Sequence, residues 1–110
     1  MRSDKRKRLE RAGWVVGDTD TFLGLSADER RFIETKLALA AGLRRWREAL
    51  GLTQTEVATR FRSSQSRVAK MEAADKSVST DLLLRSLYRL GASRRDVAKL
   101  LSQNLRPQAA

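Results

Sequence analysis

From Ser26 onward, apolar positions recur at spacings of three and four, the period of a helix that buries one face. Polar capping residues and glycines cut this pattern into five stretches. The first opens at Ser26-Ala27-Asp28-Glu29, a capping box in which Ser26 accepts from the backbone of position 29 and Glu29 reaches back. Phe32, Ile33, Leu37, Ala40, Leu43, Arg44, Arg47 and Leu50 follow at helical spacing. Gly42 weakens this helix without stopping it, and Gly51 offers a left-handed residue beyond its end. The stretch predicts a helix of about 24 residues, roughly 36 Å long.

Thr53-Gln54-Thr55-Glu56 is a second capping box, with Val57, Ala58 and Phe61 on the inward side. Ser64 caps a short third helix that turns Val68 and Met71 inward. Ser79 caps a fourth, with Leu82, Leu83, Leu84, Leu87 and Leu90 as its apolar set and Gly91 past its end. Ser93 and Asp96 start a fifth, which buries Val97, Leu100 and Leu101, and Pro107 stops any continuation. No run of alternating apolar and polar residues argues for a strand. The expected fold is therefore all-α with five helices.

Residues 1–25 break the pattern. "KRKR", Lys5 to Arg8, is a run of like charge, and residues 1–12 are expected to form a basic, flexible arm. Residues 13–25, "GWVVGDTDTFLGL", are too apolar to float free and are expected to pack on the chain's own first helix, a dimer partner or another protein. Phe32, Ile33, Leu37, Leu39 and Trp46 lie outside the core that a five-helix domain needs. They are expected to take cover from that segment. The domain itself is expected to run over residues 26–105, leaving 106–110 as a flexible tail.

Charge narrows the function. Lys and Arg number 23 against 13 Asp and Glu, a net +10, which points to a polyanion. The absence of both His and Cys removes thiolate catalysis, most zinc sites and an imidazole base, so an enzyme is not expected. No run approaches the roughly 18 apolar residues of a membrane span, and no apolar stretch follows the charged start as a secretory signal requires. No cofactor is expected.

The second and third helices locate the polyanion. Two short helices joined by Arg62-Ser63-Ser64 form a helix-turn-helix layout over residues 53–73. An ordinary helical hairpin with solvated ends would share that layout. The third helix, however, opens with Gln65 and Ser66, which do nothing for a core. In a DNA-reading helix-turn-helix these first residues meet base edges in the major groove. Glutamine pairs two-pronged with adenine, and serine donates or accepts. Lys70 lies one turn beyond Ser66 and reaches the same groove, while Arg67 reaches a guanine or a phosphate.

The stretches "LGLTQTEVATRF", "SSQSRVAKMEA" and "VSTDLLLRSLYRLGAS", with "LRRWREA" before them, resemble the phage-repressor/Cro-like (XRE) helix-turn-helix family over about Leu43 to Leu101. The resemblance implies a lambda-repressor-like five-helix DNA-binding domain, here with an N-terminal extension and a long first helix. It implies base contacts from Gln65, Ser66 and Lys70, a phosphate contact from Gln54 that also braces the reading helix, and backbone contacts from Lys76 and Ser77. It also implies an ion pair between Arg47 and Glu72. Thr53 and Arg62 are expected to add phosphate contacts. The family often has Gly in the turn where this chain has Arg62, so a different turn shape is expected there. The lead-in "GWVVG" and "FLGLSADE" is similar to that of HigA-type antitoxins.

These resemblances imply a sequence-specific repressor that binds an inverted repeat of double-stranded DNA as a homodimer. In the finer expectation it is the autoregulating antitoxin of a small basic toxin, acting in the bacterial cytoplasm at the nucleoid. The alternative is a stand-alone regulator with no toxin partner.

Overall fold

The computed structural model describes residues 26–105, which form five helices and, among the described residues, no strand. Helix α1 spans Ala27–Ala49, α2 Gln54–Arg60, α3 Gln65–Glu72, α4 Thr80–Arg89 and α5 Arg94–Leu105. The segments expected at 1–12, 13–25 and 106–110 lie outside the described residues, as does the cover expected from residues 14–25.

Each helix starts on a local hydrogen bond. Ser26, Thr53, Ser64 and Ser79 accept from Glu29, Glu56, Arg67 and Leu82. Ser93 accepts from the Asp96 backbone at 3.1 Å, and the Asp96 carboxylate accepts in return from Ser93. Each of these bonds satisfies an amide that the helix leaves without a partner.

Helices α1 to α4 end alike. At each end the third residue past the helix donates to the carbonyl five positions back: Leu52 to Arg47, Ser63 to Ala58, Asp75 to Lys70 and Ala92 to Leu87. This is the Schellman closure, which needs a left-handed residue just before the donor. Gly51 and Gly91 supply it in two cases, but Arg62 (φ 53°) and Ala74 (φ 56°) supply it in the others. The turn at Arg62 therefore keeps the left-handed conformation despite its side chain.

Helix α1 is the spine, with α3, α4 and α5 packed along it and α2 set against α3. Leu39, Leu43, Val57, Val68, Met71, Val78, Leu83 and Leu87 are fully buried. Gly42 lets α5 come close: a Cβ there would stand 2.3–2.6 Å from three side-chain atoms of Leu100.

Several inward assignments made from spacing change in three dimensions. Ile33, Leu37 and Leu39 are buried in the core cluster, while Phe32 is half exposed. Trp46 packs on the same core and donates its indole N–H to the Leu90 carbonyl at 3.0 Å, capping the end of α4. Leu50, placed inside by its spacing, is 47% exposed, because it sits past the last helical turn where the chain reverses at Gly51. Arg44 also faces out, pairing with Glu48 one turn on. Lys36 is buried, and burial pushes its ammonium below the usual range, opposed by the Asp75 carboxylate.

Candidate nucleic-acid interface

From Thr59 to Met71 the chain carries four cations, Arg60, Arg62, Arg67 and Lys70, and no carboxylate. The structure puts this stretch at one surface. Helix α3 turns about 100° per residue. With Val68 and Met71 anchored in the core, Ser66 points outward, Lys70 lies beside it, and Gln65 and Arg67 flank it on opposite sides. All four are exposed, and among the described residues none of the four cations enters an ion pair.

The start of α3 is held by a relay of side chains. Glu72, 4% exposed in its side chain, receives Nε and Nη2 of Arg47, the latter at 3.0 Å, and Nε2 of Gln54 at 3.0 Å. The hydrogen bonds from Arg47 hold the guanidinium's pKa above its ordinary value. Arg47 also donates to the Leu52 carbonyl at 2.8 Å, tying the end of α1 to the start of α2. Gln54 then accepts through Oε1 from Nε2 of Gln65 at 2.6 Å. Arg47, Glu72, Gln54 and Gln65 thus form one continuous chain across α1, α3 and α2.

This relay settles which way the Gln65 amide points. Glu72 is an acceptor, so Gln54 must turn its nitrogen toward it and its oxygen toward Gln65. Gln65 in turn must use one N–H on Gln54. Its other N–H and its oxygen face outward as a donor and acceptor pair.

The remaining sequence-derived positions are placed as follows. Thr53 caps α2, its N–H donating to Glu56 at 2.8 Å. Arg62 is exposed at the left-handed turn position. Lys76 and Ser77 are exposed in the loop between α3 and α4. Ser77 directs both its N–H and its O–H at Asp75, at 2.9 and 2.7 Å, and these bonds lower the Asp75 pKa. A phosphate contact from Ser77 requires Asp75 to release one of them. Ser64 and Ser66 hydroxyls lie 3.3 Å apart. Sequence reasoning passed over Arg60 and Arg89. Arg60 was legible as part of the carboxylate-free run. Arg89 was not, because only the return of α4 brings its guanidinium over the Phe61 ring, 4.7 Å from the centroid.

A short helix, a tight left-handed turn and a second helix with an exposed polar start define a helix-turn-helix module, the class that docks its second helix in the DNA major groove. Residues 38–102 match the family model of the helix-turn-helix domain, more than half of the chain. The chain belongs to that family, in its XRE-like form. No curated protein and no solved structure matches it.

Proposed function

We propose that the protein is a sequence-specific DNA-binding repressor that recognises an inverted repeat as a homodimer. The observation that carries this reading is the start of α3, where Gln65 and Ser66 stand exposed among four cations with no carboxylate in the stretch. Gln65 presents its remaining donor and acceptor to adenine, the pairing that glutamine makes two-pronged. Ser66, Arg67 and Lys70 read neighbouring edges. Thr53, Gln54, Arg62, Lys76 and Ser77 hold the backbone and fix the register. One such module covers only a few base pairs, and two-fold pairing doubles the read.

In the finer form of this reading the chain is the autoregulating antitoxin of a small basic toxin. It is supported by α1, whose residues 27–37 precede the region matched by the family, and by the half-exposed Phe32 on that extension. Co-purification of a small protein encoded beside this gene tests it. A neighbourhood with no such partner returns the chain to the stand-alone regulator.

The DNA reading is tested by selecting binding sites from random duplexes. Gln65→Ala and Lys70→Ala should relax sequence preference, at about 1–3 kcal/mol per lost base contact, while Lys76→Ala should weaken all duplexes alike. Equal behaviour of Gln65→Ala and Lys76→Ala would remove Gln65 from the reading end. A flat response of binding to salt would sink the nucleic-acid reading as a whole.

A further inference from the structure

The path of α4 places a cation that the helix-turn-helix layout alone does not predict. The chain leaves α3 at Glu72, turns through residues 73–79 and runs along α4 to Arg89. Arg89 lies over the ring of Phe61, the residue directly before the turn at Arg62. Arg89 therefore stands beside the turn that leads into the reading helix, while Lys76 follows that helix's end. Helix α3 has eight residues, so the two cations bracket roughly 12 Å of helix.

We infer that Arg89 is a further phosphate-contacting residue, held in place by the Phe61 ring; this rests on the DNA reading above. Arg89 is exposed, and among the described residues its guanidinium makes no ion pair and no hydrogen bond. Contact with a ring face provides no acceptor for any of its five N–H donors. They remain available for the two-pronged grip that guanidinium gives a phosphate. Phe61 is half-buried against the core, so the ring is a fixed seat and the guanidinium loses less freedom on binding than a free side chain would. Arg60 and Arg62 flank Phe61 in sequence, so the seat lies in the chain's carboxylate-free run.

The competing role is structural: a cation in the last turn of α4 also suits the helix dipole and the ring. Salt dependence separates the two. Duplex binding should be measured by fluorescence anisotropy across a salt series for wild type, Arg89→Gln, Phe61→Leu and the double variant, with a thermal melt of each. Arg89→Gln should lower the log–log slope by about 0.9 and weaken selected and random duplexes alike, by about 8-fold at 0.1 M salt. In the Phe61→Leu background the same change should cost less, because the seat is already gone. A wild type with a steep slope and an Arg89→Gln variant with the same slope would overturn the assignment of Arg89 and leave the DNA reading standing. A wild type with no salt-dependent binding would overturn both.

Discussion

Removing the carboxylate of Glu72 tests the relay at its centre. Its side chain is 4% exposed and receives three donors, two from Arg47 and one from Gln54. In Glu72→Ala the Arg47 side chain, 12% exposed, keeps the Leu52 carbonyl but loses its buried counter-charge. Glu48 is 4.0 Å away and half exposed, a partner screened by water. Breaking one side of a buried pair costs roughly 3–5 kcal/mol. Each kcal/mol moves the melting point of a domain this size by about 4–8 °C, so a drop of at least about 12 °C is expected. Circular dichroism melts and urea titrations measure it. Glu72→Gln, which keeps the volume and one acceptor, should fall less far. Arg47→Met with Glu72→Leu should lose less than the two single changes added together, because no charge is left buried. The relay adds a second readout. Below its melting point the Glu72→Ala variant should also lose preference at the Gln65 base position, since Gln54 is then free to turn. A Glu72→Ala melt within two degrees or so of wild type would refute the reasoning and make the pair a surface contact.

Gly42→Ala should destabilise the fold by about 1–2 kcal/mol although alanine favours helix by about 1 kcal/mol, because Cγ and both Cδ atoms of Leu100 must move; a raised melting point would refute it. Arg62→Gly should stabilise by about 0.5–1 kcal/mol, the left-handed cost of about 1–2 kcal/mol less the extra backbone entropy of glycine, while lowering the salt slope of DNA binding. A variant that melts lower, or binds with the wild-type slope, would contradict this. Acid should weaken the fold. The pKa values of Glu56, Asp75 and Asp96 are lowered first by backbone N–H groups of Thr53, Ser77 and Ser93. Groups depressed in the folded state contribute stability above their unfolded values near 4, and that contribution is lost as pH falls through the folded values. Melting points should therefore fall from about pH 5 toward pH 3, less steeply in Asp96→Asn; an identical slope in that variant would remove the Asp96 box from the account.

Helix starts were legible because their chemistry is local. A serine or threonine and a carboxylate three residues on satisfy amides of the same turn, whatever the rest of the chain does, and Ser26, Thr53 and Ser93 act this way. The exposed polar start of α3 was legible for the same reason, since Val68 and Met71 leave only one face for Gln65, Ser66 and Lys70. What spacing could not decide was which partner meets each face. Leu39 and Ile33 enter the core, and Leu50 leaves it, according to where α1 meets other helices and where it ends. Trp46 finds a carbonyl 44 residues away, and Gly42 earns its place through Leu100 on α5. The left-handed Arg62 is held by a backbone closure that outweighs its own preference. The orientation of Gln65 depends on Glu72 through Gln54, and the seat of Arg89 on Phe61. Apart from the local closures at Leu50 and Arg62, these are contacts between different helices, whose energy exists only once the helices have packed, so no local pattern records them.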